Sequence, residues 1–584
     1  MKKYTFYSLL FLCMSIAACE DILEPKVDNT YGDEDTWRLP EKAEGVLLNA
    51  YANIDRQFDS YGNNFLDVAT DNAVTNNYGS AFYTIGGGAI SSPSNPLAIW
   101  GDAYTQFRNI HMFMEKGLGE NIIYNLTSAT TNQQHKNRLK GEAFFLRAWW
   151  GFKLLQHYGG KTNNGQALGY PIITRILTDQ EATNPGLFKR NTYQECLDQI
   201  SRDCDSAAYY LPTTYAGEDQ IVGSAQIGRA TKLAALALKS RAYTYGASPA
   251  YQPNDVTQIT GMGSFTVVNN ATYLANWEKA AKVSYEAITQ LGNFSNLIAK
   301  NYNAAATPSE FLFRFYHNNR ALETRNYPPS YLGSGFTGPS QNLVDAFPMK
   351  NGRPIGTPLS MYDPNSPYAG RDPRLDSTIL RHGGSLGGVP LDMVLGGKDA
   401  QGAFPQATRT GYYLRKWLSD IPNMLDPESP QNDHHYHVLL RKTEVYLNFA
   451  EAANEAWGPT GTIPDGNISA LSVLKSIRTA AGLNSDDYLG EVAGQGKSAF
   501  RALIQNERRI VLAFENHWFF DMRRWLLPLN NPVMGVKITR DTNGALQYNK
   551  YEVEKRGFND VRYYYLPLPY DEVVKNQLVN NLGW

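Results

Sequence analysis

Apolar residues recur at helical spacing along most of this chain, and the pattern predicts its elements in order. Between residues 137 and 157 they fall at Leu139, Ala143, Leu146, Trp150 and Leu154, one buried helical stripe. Gly159-Gly160 follows, and a glycine after the last periodic residue predicts a helix end. Shorter helical patterns cover residues 41–53 and 97–116, with Trp100 a core residue at the start of the second. Another covers 193–210, with Pro212 beyond its end. Gly228-Arg229-Ala230-Thr231 opens a helix to Gly246, with Leu233, Leu236, Ala237, Ser240 and Tyr243 on one face. Its small residues Ala234, Ala235, Ala237 and Ser240 allow close helix approach. Residues 277–291 form a further helix.

From residue 292 to 436 the periodicity fails. The segment is rich in Gly, Pro, Asn and Tyr, with short apolar runs at 310–315 and 412–417, and it predicts loops with a few strands. Helical periods resume at 441–457, 468–481 and 497–525. Residues 563–569 read as extended, before a short helix ending near Trp584. The expected fold is mainly α: tetratricopeptide-like (TPR-like) helical hairpins without a strict repeat, a loop-rich face and few short strands.

Composition narrows the function. A net charge of −2 gives no long-range attraction to nucleic acid or anionic lipid. The 37 Tyr, 25 Phe and 10 Trp exceed what stands out in most chains. Most belong in a packed helical core, and the remainder offer flat apolar faces with polar edges, suited to sugars or peptides.

The first residues read as an export signal. Met1-Lys2-Lys3 is basic, residues 7–16 are apolar but too few to span a bilayer, and Ile16-Ala17-Ala18-Cys19 closes the segment. Small residues before a cysteine resemble a bacterial lipobox, which makes Cys19 the lipidated first residue of the mature chain. Glu20-Asp21 resembles a signal for display on the cell surface. Residues 20–40 read as an extended tether. Of four cysteines, Cys13 leaves with the signal and Cys19 carries lipid. Cys196 and Cys204 lie eight apart in a helix, roughly 12 Å, beyond the reach of about 7 Å that a disulfide allows. Two free, packed thiols are expected.

Several stretches together resemble the SusD/RagB family of outer-membrane nutrient-binding lipoproteins. They are Gly141-Glu142-Ala143-Phe144-Phe145-Leu146-Arg147-Ala148 leading to Tyr158-Gly159-Gly160, and Gly228-Arg229-Ala230-Thr231-Lys232 through Ser248-Pro249. Pro339-Ser340-Gln341-Asn342-Leu343-Val344-Asp345-Ala346-Phe347, Arg371-Asp372-Pro373-Arg374 and Tyr412-Tyr413-Leu414-Arg415-Lys416-Trp417 follow. Arg441-Lys442-Thr443-Glu444-Val445-Tyr446-Leu447, Asn506-Glu507-Arg508-Arg509 through Arg523-Arg524-Trp525, and Asn580-Asn581-Leu582-Gly583-Trp584 complete the set. The resemblance implies a signal peptide at 1–18, a tether at 19–40, a TPR-like helical region at 41–300 and a C-terminal region at 301–584. It also implies a lipid-anchored protein on the outer face of the outer membrane that binds a glycan. Its implied partner is a SusC-like TonB-dependent transporter, to which it delivers nutrient. A surface glycosidase, a protein-only TPR-like scaffold and a peptide-binding homologue are the alternatives.

Sugars stack a C–H face on aromatics and exchange hydrogen bonds with amides, carboxylates and guanidinium groups. Two loops supply that mixture and correspond to regions that line the glycan site in the starch-binding member of the family. Residues 71–83 offer Asn76, Asn77, Tyr78, Phe82 and Tyr83; residues 318–336 offer Arg320, Arg325, Asn326, Tyr327, Tyr331 and Phe336. These are the expected ligand contacts.

Catalysis is not expected. Glycoside hydrolysis needs two carboxyls about 5–9 Å apart across a cleft, one of them held protonated. Glu507, with Glu515 or Asp521, sits among Arg508, Arg509, Arg523 and Arg524, which predict structural ion pairs instead. In His434-His435-Tyr436-His437 a strand pattern puts His435 and His437 on one face, but no third ligand follows at metal spacing. No nucleophile elbow, P-loop, dinucleotide fingerprint or EF-hand loop is present. No metal or other cofactor is predicted, and the sequence is silent on a structural Ca²⁺.

Overall fold

The computed structural model describes residues 33–292, 308–464 and 466–584. The signal segment and Cys19 lie outside them. Residues 33–38, expected as extended tether, form the short helix Asp33–Arg38. It leads into α1 (Pro40–Ala52), where Pro40 opens the first turn.

Six helices of the first half follow one another in space as in sequence. After α1 come α2 (Trp100–Met112), α3 (Ala129–Tyr158), α4 (Tyr193–Tyr210), α5 (Lys232–Ala247) and α6 (Asn270–Leu291). Trp100 is buried, as expected for a core residue. The predicted stripe of α3 is buried throughout. Ser128 caps its start by accepting the Thr131 N–H at 3.0 Å, and a Thr192–Glu195 capping box starts α4. Close α3–α4 packing needs Gly141, where a Cβ would sit 2.8 Å from Leu211 Cγ. Gly159 does end α3, but not through a left-handed turn: its φ is −65°, and a Cβ would meet the Leu155 carbonyl at 2.4 Å.

The face expected of α5 is packed, but burial extends beyond it. Leu236 and Tyr243 are half-buried, while Ala234, Ala235, Leu238, Arg241 and Ala242 are buried. The helix packs against α4, α6 and the helix after residue 441, and so is covered on most sides. Ser240 Oγ lies 2.8 Å from Ser284 Oγ of α6 and accepts from Asn448 Nδ2 at 3.2 Å.

The helical row is interrupted, not ended, by the loop-rich region. The chain leaves at α6 and returns in α7 (Lys442–Trp457), which packs directly on α6; α8 (Ala470–Ala480) and α9 (Lys497–Val511) then pack against α7 or its neighbours. One continuous apolar core runs through all of these elements. The helix expected over 497–525 breaks instead after Val511 and resumes as α10 (Trp518–Arg524). Phe514 and Asn516 take left-handed backbone angles, φ 58° and 62°. The break frees Asn516 to accept the Leu66 N–H and donate to the Phe58 carbonyl, both at 2.8 Å. It also aims Glu515 at Arg441 and Lys416.

The loop-rich region is organised by short antiparallel pairs. Strand β1 (Ala73–Thr75) is followed by β2 (Phe311–Asn319), β3 (Thr337–Pro339) and β4 (Asp433–Arg441). β1 pairs with β3, and β2 with β4, with His435 opposite His317. The run at 412–417 is strand only at Tyr413–Leu414, paired with Ile379–Leu380. A hairpin of β5 (Val533–Arg540) and β6 (Leu546–Glu554), not foreseen from the sequence, lies near the C-terminus. The final helix is Tyr570–Asn576, and the last residues form an irregular tail, because Asn581 is spent holding the Tyr158 and Leu566 carbonyls. Cys196 and Cys204 are free and buried, as expected.

Candidate ligand-binding site

A cavity of about 410 Å³ opens beside the β2–β4 pair. That volume suits a small ligand or a few sugar rings. Four segments build it, one of them β2 with His317, Asn319 and Leu322 just beyond its end. β4 supplies His434 to His437 and Asp433; the loop after α1 supplies Arg56, Gln57 and Phe58; and residues 417–422 supply Trp417, Ser419 and Asp420. Trp417 takes a left-handed φ of 71°, which ends the strand-like run before it. Its ring stacks on Phe58 at 4.6 Å between centroids, and its indole N–H donates to the Phe514 carbonyl at 3.1 Å. His437 meets the same Phe58 edge-on at 4.5 Å. On the exposed side Tyr316 stacks against His434 at 5.6 Å. The result is an aromatic wall with polar groups around it.

The imidazoles differ in charge. His437 is buried, and desolvation pushes its pKa down to about 3, so it is neutral. For His435, burial also favours the neutral form, but Glu323 outweighs it and raises the pKa. His435 Nε2 lies 3.2 Å from Glu323 Oε2. Both carboxylates lining the cavity are engaged. Asp420 accepts two bonds from Arg415, at 3.0 and 3.1 Å, and Asp433 accepts from Ser419 Oγ. Among the described residues no three His, Cys, Asp or Glu side chains converge to hold a metal.

The two loops proposed from the sequence do meet. β1 and β3 join them, and the Asn76 N–H donates to the Phe336 carbonyl at 2.9 Å. Asn76 is buried and donates from Nδ2 to the Gly335, Gln406 and Ala407 carbonyls, so it serves as a bracket between the loops. Asn77 donates to the Gly62 carbonyl at 3.2 Å. Tyr78, 57% exposed, meets Tyr83 edge-on at 5.0 Å and borders an open depression with Phe404, Gln401 and Arg409. Phe82 is buried.

In the second loop Arg320 donates to Asn432 at 3.0 Å. Arg325 grips Asp59 and donates to Gln57 at 2.6 Å. Tyr327 is only 2% exposed, and its hydroxyl donates to the Ser419 carbonyl at 2.7 Å. Asn326 is buried, donating to the Leu322 carbonyl. Tyr331 is half-buried, donates to the Val389 carbonyl and lies beneath Lys398. Phe336 is half-buried. None of the eleven expected contacts lines the 410 Å³ cavity; Arg325 and Tyr327 brace its walls from behind. Trp417, Phe58 and His435 were missed as a group. The sequence signals were present separately, in the Tyr412–Trp417 run and the histidine cluster, but nothing in them showed that they adjoin.

Glu507 is fully buried and paired, as expected, but with other arginines. It accepts from Arg374 Nη1 at 2.5 Å and from Arg478 Nε at 2.8 Å. Arg508 and Arg509 leave the helix on other faces, toward Asp521 and Asp71, and Arg524 holds Glu451. Arg523 lies over the Phe519 ring at 3.4 Å. Burial alone would raise the Glu507 pKa, but Arg374 and Arg478 outweigh it and hold the carboxyl below its ordinary range.

Two family profiles match the chain. One, described as the SusD family, matches residues 294–584. The other, described as "Starch-binding associating with outer membrane", matches residues 21–244. SusD-like protein P25 of Formosa agariphila is 21% identical over 540 residues, covering 90% of each chain. A SusD-like protein of Bacteroides fragilis shares the fold with a TM-score of 0.70, at 24% identity over 95% of this chain and 99% of that one. A SusD-like carbohydrate-binding protein of the same organism has a TM-score of 0.66, at 21% identity over 92% of this chain and 99% of that one.

Proposed function

From the premise that this chain belongs to the SusD/RagB family, we propose that it is a non-catalytic glycan-binding lipoprotein that delivers its ligand to a SusC-like TonB-dependent transporter. The observation that carries the reading is the 410 Å³ cavity walled by Trp417 and Phe58 and edged by histidine, amide and carboxylate groups. An aromatic face beside planar hydrogen-bonding groups is what a pyranose ring requires. Tyr78, Tyr83 and Phe404 are exposed as well and offer a second aromatic surface for a longer chain. The carbohydrate and starch binding for which the similar proteins are named agrees with this chemistry.

The state of the carboxylates supports the non-catalytic reading. Asp420 and Asp433 are both engaged, and Glu507 is sealed from solvent between two arginines. None is free to act as a protonated acid across a cleft. No helix among the described residues is long and apolar enough to cross a membrane. In this reading a lipid on Cys19 supplies the attachment, and Glu20-Asp21 supports display on the outer face.

Affinity electrophoresis tests the reading. The purified protein is run through native gels cast with plant, host and microbial polysaccharides. Retardation in at least one gel, lost in Trp417→Ala, is expected. Free migration of the parent protein in every gel would contradict it. Affinity capture from outer membranes is expected to recover a TonB-dependent barrel.

A further inference from the structure

We propose that protonated His435 and Glu323 form a latch that holds Trp417 in place as the wall of the ligand cavity, so that the wall is set at acidic to neutral pH and loosens at alkaline pH. The inference rests on the preceding assignment of that cavity to the ligand. Glu323, fully buried on the short helix Ala321–Asn326, turns one oxygen to the loop and the other to β4. Oε1 accepts the Ser419 N–H at 2.9 Å, and Oε2 lies 3.2 Å from His435 Nε2. The carboxylate carries a negative charge, so imidazolium is the form of His435 that pairs with it at this distance. Tyr327 adds a third tie by donating to the Ser419 carbonyl at 2.7 Å. Ser419, two residues after Trp417, is thus fixed through the ion pair, and the Trp417 ring rests on Phe58.

The charged groups around His435 come from every side of the cavity. Asp433 lies on its own strand and favours the imidazolium; His317 lies directly opposite on β2. Asp420 belongs to the held loop and is neutralised by Arg415. Arg56 lines the cavity from the loop after α1, and Arg325, on the helix of Glu323, is committed to Asp59. Lys416, beside Trp417, is committed to Glu515. Glu323 is the only one of these groups in ion-pair contact with His435 among the described residues. The folded pKa is raised above the ordinary 6.5. The latch is therefore complete below 6.5 and is lost as pH rises through the raised value.

Hydrogen exchange of the ligand-free protein tests this directly. After correction for intrinsic exchange rates, protection of residues 417–422 is expected to fall by roughly tenfold per unit of the pKa elevation between pH 5.5 and pH 9. Glu323→Gln keeps an acceptor for the Ser419 N–H and removes the counter-charge, so its profile is expected to be flat. His435→Gln is expected to be flat as well, and His435→Lys to restore protection at pH 8. A flat profile in the parent protein, or an unchanged one in Glu323→Gln, would overturn the latch. Saccharide binding at pH 6 and pH 9 is measured separately. Weaker binding at pH 9 in the parent alone supports the latch. Absence of binding at every pH refutes the glycan reading, while the exchange profile still decides whether the latch exists.

Discussion

Glu507→Gln distinguishes a structural carboxylate from a catalytic one. The change keeps the shape but replaces one acceptor oxygen by an NH₂ group. Both oxygens already accept from guanidinium groups, so the amide must place a donor against Arg374 or Arg478. Removing one member of a buried ion pair costs about 3–5 kcal/mol. Here the lower figure applies, because Arg374 keeps Asp372 at 2.7 Å and Arg478 keeps Asp486 at 2.8 Å. For a chain of 584 residues the unfolding entropy is about 1.2 kcal/mol per kelvin, so a cost of about 3 kcal/mol lowers Tm by about 2–3 °C. Scanning calorimetry from pH 3 to pH 8 reads the effect. The folded pKa is depressed below the ordinary 4.5, so the contribution is present above that value. It is lost as pH falls through the folded value, and the two melting curves are expected to converge there. An unchanged Tm at pH 7 would refute the ion-pair account. Release of reducing ends by the parent protein and not by Glu507→Gln would replace it with a catalytic role.

Three further outcomes are expected. Trp417→Ala removes the stacking wall and weakens saccharide binding tenfold or more, a loss of at least about 1.4 kcal/mol, while Tyr78→Ala, farther out, weakens only longer chains; calorimetric titration with oligomers of graded length separates them. Tyr327→Phe strands the Ser419 carbonyl at a cost of about 1 kcal/mol, which lowers Tm by about 1 °C and lowers affinity a few-fold, both readable in one melting and titration series. Cys196 and Cys204 stay unreactive toward a thiol reagent at pH 8 until the protein is unfolded, since both are buried and the Cys196 pKa is pushed up to about 12, chiefly by desolvation.

The helical row was legible because burial there follows period. The stripe from Leu139 to Leu154 is fixed by local spacing, and Thr192 and Thr231 mark helix starts by side-chain chemistry alone. Reading failed where a distant partner decided the outcome. Nothing in residues 497–525 announces that Asn516 will bind the backbone at Phe58 and Leu66, and so the helix break was missed. The same holds for Glu507: its sequence neighbours are arginines, but its partners come from residues 133 and 29 positions away. Both candidate loops carried the right residue types and do come together. Yet Asn76 and Tyr327 are consumed in holding backbone, because a polar side chain that enters the interior must be satisfied there. The cavity wall combines residues near 58, 417 and 435, a juxtaposition set by topology and not by any local pattern.

The central claim is that this protein binds a glycan in the Trp417 cavity and leaves it intact. Isothermal titration of the purified protein with a panel of polysaccharides, each mixture then assayed for new reducing ends, tests it most directly. The account predicts saturable binding to at least one polysaccharide, loss of that binding in Trp417→Ala, and no new reducing ends. Shortened products, or binding that survives Trp417→Ala unchanged, would contradict it.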